Sequence, residues 1–432
     1  MGPVWQLVSS RPLGLVLGSL LLVAWGCGGS PGMPDVPWAP PAGIERAPYL
    51  QAVTDSSAVV RWRAAEADAR PTLRYRVVSS REGPADTSWT AAGVELRGNS
   101  GREARLAGLP PGAAVVYEVS EDGRVLGPHR FRTAPRPGRS DSVVRVLAFG
   151  DSGWGSREQV TLAGRMAEHD WDLALHVGDL AYPSGSARSL TLRHFHVYRE
   201  LLAEAPFFPV PGNHDLRTDG GRPYDVAFTW PRDGDGGRGR RYYRVRWGHA
   251  LFLALDTSTP VQLDSLERGE GAQHRWLRRQ LRRAEADSTV RWTVVYMHHP
   301  LYSSAGGLSG HGSNRELRET LRPLFERTGV DVVLAGHDHH YERTRPLRGG
   351  EPVPPGCGPV YVVTGGGGAS RHARTVRGSR RTAASSRRYH FLELRLARDG
   401  AEGRAVGLDG RPFDRFRMRA YAPASRTDRC AR

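Results

Sequence analysis

The chain has 432 residues, 39% of them hydrophobic and 25% charged, a balance that excludes global disorder and leaves ample length for two or three domains. Arginine supplies all 61 basic residues against 45 acidic ones, for a formal charge of +16, and only one isoleucine (Ile44) occurs; such a skew reads as coding bias toward arginine rather than selection for nucleic acid, while the planar guanidinium still favours small anionic, phosphate-bearing partners. Three cysteines without a CxxC pair exclude a disulfide scaffold and a thiolate zinc finger.

In chain order, residues 13–24 come first as an apolar run behind Arg11. The run has the length of a signal-peptide core and falls short of the roughly 20 residues a spanning helix needs. Gly26-Cys27 followed by Gly28-Gly29-Ser30 resembles a bacterial lipoprotein signal, in which the cysteine is lipidated and becomes the mature N-terminus; the alternative is an ordinary cleaved signal. Either way the chain is expected to be exported, as a cell-envelope lipoprotein or a periplasmic or secreted protein, and to touch membrane only through that anchor. Cys357 and Cys430 would then stand in an oxidising compartment, where pairing is possible. The expected division is a signal (1–27), a Pro/Gly-rich linker (28–43), a first domain (44–135), a second domain (143–420) and a tail (421–432).

The first domain reads as β. Ser57–Trp62, Thr72–Val78 and Ala114–Ser120 carry β-branched or aromatic residues between turn signals, and no helical period competes. Leu106-Ala107-Gly108-Leu109-Pro110-Pro111-Gly112 followed by Tyr117 resembles the strand-turn-tyrosine pattern of fibronectin type III domains, with Trp62 as the core tryptophan of a small β-sandwich.

After Pro135–Ser142 the pattern changes to apolar runs alternating with helix-compatible segments. The runs are Val143–Phe149, Leu173–Val177, Phe207–Val210, Ala250–Leu255, Thr293–Met297, Val330–Leu334 and Val360–Thr364. The helix-compatible segments are Glu158–His169, Leu190–Ala203, 272–286 (Trp276, Leu277, Leu281 and Ala284 on one face) and 313–328, and Leu392–Leu396 and Gly403–Arg417 read as closing strands or hairpins. This alternation predicts an α/β sandwich.

Five of the runs end in chemistry: Gly150-Asp151-Ser152-Gly153, Gly178-Asp179-Leu180-Ala181-Tyr182, Gly212-Asn213-His214-Asp215, His298-His299 and Gly336-His337-Asp338-His339. Open α/β sheets bind ligands outside the carboxyl ends of their strands. Any one of these, taken singly, reads as a turn or an N-cap; independent turn residues need not fall at five strand ends. Oxygen and imidazole donors without thiolate suit two hard-to-borderline metal ions.

The five blocks resemble those of the purple acid phosphatases, within the calcineurin-like metallophosphoesterases. Gly153 stands where the wider superfamily has a histidine, and Tyr182 is the tyrosine the purple branch supplies. The resemblance implies that Asp151, Tyr182 and His339 bind a first, ferric ion. Asn213, His298 and His337 would bind a second, divalent one (zinc, iron or manganese), with Asp179 bridging. It implies that His214 contacts the phosphate or protonates the leaving group, with Asn213 and His311 also at the substrate and His311 a second acid. Asp215 stands where plant relatives often carry glutamate. Paired cations can clamp an in-line displacement and generate hydroxide near neutrality, a carboxylate can offer one oxygen to each ion, and a histidine can give a proton to a departing alkoxide.

The expected activity is therefore hydrolysis of phosphate monoesters, small anionic substrates, with no nucleic acid expected as partner. Alternatives are a phosphodiesterase or nucleotide hydrolase on the same site, and a non-catalytic metal-bearing surface binding protein. His176 reads as core and His299 and His340 as supporting residues. The arginine-rich stretch 369–392 (Arg371, Arg374, Arg377, Arg380, Arg381, Arg387, Arg388) reads as a solvated loop or as an electrostatic collar for anionic esters.

Overall fold

A computed structural model describes residues 43–67, 70–79, 88–98, 100–138, 143–231, 241–305, 312–371 and 379–419. The expectations for the signal, Cys27, His311, Arg374, Arg377 and Cys430 lie outside these residues. Cys357 is disulfide-bonded.

The first domain comprises β1 (Ile44–Gln51), β2 (Ser57–Ala64), β3 (Pro71–Ser79), β4 (Thr90–Ala92), β5 (Val94–Arg97), β6 (Gly101–Ala107), β7 (Ala114–Glu121) and β8 (Arg124–Arg132). They pair as two four-stranded sheets, β1-β2-β6-β5 and β4-β3-β7-β8, the antiparallel arrangement of an immunoglobulin-like sandwich. Trp62 is buried in its core as expected, and its indole N–H donates to Glu121 at 2.7 Å. Tyr117 departs from the tyrosine-corner expectation: its hydroxyl donates to the Ala203 carbonyl of the second domain, at 2.7 Å. A corner tyrosine bonds its own domain; here Tyr117 becomes a strut between domains. Beside it, Arg46 Nε donates to Thr191 Oγ1 at 2.9 Å, Tyr49 Oη to the Ala227 carbonyl at 2.8 Å, and Arg61 to the Val226 carbonyl at 2.9 Å.

The second domain begins with β9 (Val144–Phe149), α1 (Arg157–Ala167), β10 (Leu173–His176), α2 (Ala187–Leu190), α3 (Arg199–Glu204), β11 (Phe207–Pro209), α4 (Arg222–Ala227), β12 (Tyr243–Trp247), β13 (Ala250–Ala254), α5 (Pro260–Glu267) and α6 (Gly271–Ala286). It continues with β14 (Trp292–Tyr296), α7 (Arg315–Thr328), β15 (Val332–Ala335), β16 (Tyr341–Thr344), the ribbon β17 (Leu347–Arg348) and β18 (Glu351–Pro352), β19 (Val360–Thr364), β20 (Thr382–Ser386), β21 (His390–Leu396), β22 (Gly400–Gly407) and β23 (Pro412–Arg419). Two sheets result, β11-β10-β9-β21-β22-β23 and β12-β13-β14-β15-β19-β16-β20. The alternation of strand side chains explains the layers. Val146, Ala148 and Leu175 meet Phe252, Val294 and Leu334 between the sheets. Leu147, Phe149 and Ala174 face outward onto Leu162 and Met166 of α1 and Leu201 of α3. On the other side Val295 and Val333 receive Trp276, Leu277 and Leu281 of α6 and Leu317, Leu321 and Phe325 of α7.

The segment expected as one helix over Leu190–Ala203 is instead α2, a π-helical turn at Thr191–Phe195, and α3. The wider turn sets His194 and Phe195 side by side, each near Phe228. Strands β9, β10 and β11 run parallel, as do β13, β14, β15 and β19, so the carboxyl ends of each set open on one edge of the layers.

Candidate metal centre

Asp151 and Asp179 follow β9 and β10 by two and three residues, Asn213 follows β11 by four, and His298 and His337 each follow their strands, β14 and β15, by two. Sharp turns are needed there, and three of these side chains pay a local strain: Asp151, Asp179 and His337 sit at φ of 55°, 58° and 70°, a left-handed region uncommon for residues other than glycine. Close approach demands glycine at two neighbours. A Cβ on Gly212 would collide with the Asp179 carboxylate, and one on Gly365 would press on the Asp151 carboxylate. Gly365–Gly368, which carries no phosphate-loop signature, is thus the floor beneath Asp151; Ala369 N–H also donates to the Asp151 carbonyl at 2.9 Å.

The expected residues converge in two groups. In the first, the Tyr182 hydroxyl lies 3.0 Å from His339 Nε2 and donates to Asp151 Oδ1 at 3.3 Å, and His339 Nε2 is 3.4 Å from the same carboxylate oxygen. In the second, Asn213 Oδ1 lies 3.0 Å from His298 Nε2 and 3.1 Å from His337 Nδ1, with the two ring nitrogens 3.3 Å apart. Asp179 stands between them: His298 Nε2 is 3.7 Å from Asp179 Oδ2, and Tyr182 bonds the same carboxylate. One ligand atom each from Asp151, Asp179 and His298 falls within 4.8 Å of the others, and all three residues are buried. The free faces of His298 and His339 are fixed from behind by Nδ1–H donors to the Val177 carbonyl at 2.9 Å and the Ser370 carbonyl at 2.6 Å, a tautomer-setting arrangement typical of metal-ligating imidazoles.

The electrostatics fit cations. Burial raises the Asp179 carboxyl, and His298 and His214 more than offset it, so it lies below the usual range. His298 is opposed by burial yet raised by Asp179 and Asp151. Burial, then Asp179 and Asp151, push the Tyr182 phenol well above its ordinary value; a tyrosinate beside two carboxylates requires positive charge that the side chains themselves do not supply. The donor set of carboxylate, phenol, amide and imidazole is that of hard-to-borderline ions.

Supporting residues divide into those expected and those missed. His176 is core, as expected: its Nδ1 accepts from Gly178 N–H at 3.2 Å and its Nε2 bonds Ser152 Oγ at 2.9 Å, tying two of the turns together. His299 is half-buried against Thr257 and beside the His337 ring, and His340 pairs with Glu342. Asp215, noted only as a substitution, is fully buried and accepts N–H bonds from Leu180, Ala181 and Gly212 at 2.8–3.1 Å; burial and then Asp179 push its carboxyl up to about 7. No spacing signal in the chain announces that role. Of the arginine stretch, Arg380 and Arg381 face Glu351, Arg371 lies over Tyr389 and Arg388 over Phe413, so part of that charge is held by contacts.

Residues 144–341 match the family described as calcineurin-like phosphoesterase. Those residues are a calcineurin-like phosphoesterase domain. The phosphoesterase domain and the sandwich together resemble the structure of a purple acid phosphatase from yellow lupin (Lupinus luteus) seeds, with a TM-score of 0.72 at 22% identity over 88% of this chain and 76% of that one. An uncharacterized Mycobacterium tuberculosis protein is 28% identical over 365 residues, 72% of this chain and 67% of its own length. Purple acid phosphatase 21 of Arabidopsis thaliana is 27% identical over 278 residues, 62% of this chain and 59% of that protein; the chain therefore spans about three fifths of that plant relative. Among the described residues no helix is long and apolar enough to cross a membrane.

Proposed function

We propose that the chain hydrolyses phosphate monoesters at a pair of metal ions. The observation that carries this reading is the juxtaposition of two three-residue groups, Asp151–Tyr182–His339 and Asn213–His298–His337, with Asp179 between them. The oxygen-richer first group suits ferric iron and the imidazole-richer second a divalent zinc, iron or manganese ion. When bound, such a pair supplies Lewis-acid charge to phosphoryl oxygens and lowers the pKa of water.

The chain's own residues supply the rest. Asp151, Asp179 and His298 form a buried floor, while Asn213, His214 and His337 are half-exposed at its rim. A phosphate entering from solvent meets the rim first. The His214 ring is held by a tilted contact with the Tyr182 ring, 4.3 Å between centroids, and by an Nδ1–H bond to the Pro183 carbonyl at 2.7 Å, and its backbone N–H donates to Asp179 at 2.8 Å. That is the placement of a group that orients the ester rather than one that packs the core. His311 belongs to the same proposal as a second substrate contact. Residues 1–27 are proposed as the export signal, with the sandwich at 44–135 and the catalytic domain at 143–420.

The test is metal analysis together with turnover of p-nitrophenyl phosphate and of its bis-ester. Two ions per chain and turnover of the monoester are the expected result. Preferential turnover of the bis-ester would assign a diesterase. Turnover of neither by protein holding two ions would assign a binding protein, and one ion or none under iron- and zinc-replete conditions would remove the binuclear reading.

A further inference from the structure

The resemblance supplies a histidine for the leaving group, but the hydrogen bonds around His214 leave its outer nitrogen engaged. Its Nδ1 faces the Pro183 carbonyl at 2.7 Å and can only donate there. With the proton on Nδ1, Nε2 is the acceptor, and Arg217 Nη2 donates to it at 3.3 Å. The same guanidinium donates through Nη1 to the Pro183 carbonyl at 3.3 Å, so it bridges the ring and the backbone that holds the ring. The turn that carries Arg217 is braced as well. The next residue, Thr218, bonds the Ser184 carbonyl through both its N–H, at 3.0 Å, and its hydroxyl, at 2.7 Å, while Gly185 packs on the Asp215 backbone so closely that a Cβ there would collide. Arg217 itself is exposed, with N–H groups left over for a ligand.

A guanidinium cannot give up its proton, yet it stabilises an anion through paired N–H donors. We propose that Arg217 is the leaving-group anchor of this site, and that it fits the site to phosphate esters and anhydrides whose leaving group carries its own negative charge beside the scissile bond. The proposal rests on the phosphoesterase reading above. An alcohol leaving group gains little from such a neighbour, because it must depart with a proton. A leaving group that is itself a phosphate departs as a stable anion and gains directly.

The experiment compares inorganic pyrophosphate with glycerol phosphate on metal-loaded, full-length protein and on Arg217→Gln and Arg217→Lys. The ratio of kcat/KM for pyrophosphate to that for glycerol phosphate should fall about 10–100-fold in Arg217→Gln, as expected for loss of a charged hydrogen bond, mainly through KM, with partial rescue in Arg217→Lys. An unchanged ratio, whether both rates fall together or neither moves, overturns the anchor. If the parent protein with two ions turns over neither compound, it is the phosphoesterase reading that fails.

Discussion

Two buried carboxylate groups in this chain have opposite surroundings. In the sandwich, Glu121 is buried against Arg102, itself fully buried, at 3.0 Å, and also accepts from the Trp62 indole. Its charge is balanced by a residue of the same sheet pair. In the phosphoesterase domain Asp151 and Asp179 are as deeply buried, but their charged partners are His339 and His298, and the Tyr182 hydroxyl lies between them. An imidazole balances a carboxylate only while it holds its second proton, and a metal ion takes the place of that proton when it binds. The comparison separates a carboxylate that completes a fold from carboxylates that need something from outside it.

Breaking each cluster sharpens that distinction. Asp179→Asn should lower kcat/KM by about a thousandfold or more, because it removes the group between the two ions, while the metal-stripped protein keeps its fold. Glu121→Ala should do the reverse. Leaving Arg102 buried and uncompensated costs about 3–5 kcal/mol of stability, read by denaturant unfolding, with kcat per folded molecule unchanged.

A second contrast concerns buried histidines. His194 is fully buried, neither ring nitrogen has a hydrogen-bond partner among the described residues, and burial drives its pKa down to about 3. A pKa below the unfolded value of 6.5 means the unfolded chain takes up a proton that the folded chain refuses. Stability from this group is complete above about pH 6.5 and is lost as pH falls toward 3. His194→Phe, an apolar ring among Phe195, Phe207 and Phe228, should reduce the slope of stability against pH in that window by up to about 1.36 kcal/mol per pH unit. An unaltered slope would show that the ring is solvated.

The smaller tests probe single hydroxyls. Tyr182→Phe should abolish the visible band of iron-loaded protein while the circular dichroism stays the same; a retained band would place the phenol off the metal. Tyr117→Phe removes the strut to Ala203 and should cost about 1 kcal/mol, without altering turnover, which distinguishes a strut between domains from a route to the site.

Much of the architecture was legible along the chain. Apolar runs of four to eight residues ending in Gly-Asp, Gly-Asn-His or Gly-His mark strand ends, and the structure has strands at Val144–Phe149, Leu173–His176, Phe207–Pro209, Trp292–Tyr296 and Val332–Ala335. The face Trp276, Leu277, Leu281 and Ala284 is buried as its spacing predicts. Local patterning suffices where one residue's periodicity reports its own burial. It failed for Leu190–Ala203, where a π-turn is selected by aromatic partners from Phe207 and Phe228, and for Tyr117, whose acceptor lies 86 residues away.

What the sequence determined alone was the set of chemical groups and the order in which strands deliver them, because ligand type and strand period are local properties. What only the tertiary structure decided was adjacency. Asp151 and His339, 188 positions apart in number, lie 3.4 Å apart in space, and His214 meets Arg217 across a turn braced by Pro183 and Ser184. Such contacts depend on how two sheets stack and on loops whose shape is set by distant backbone groups, and no spacing along one chain encodes a distance between two surfaces.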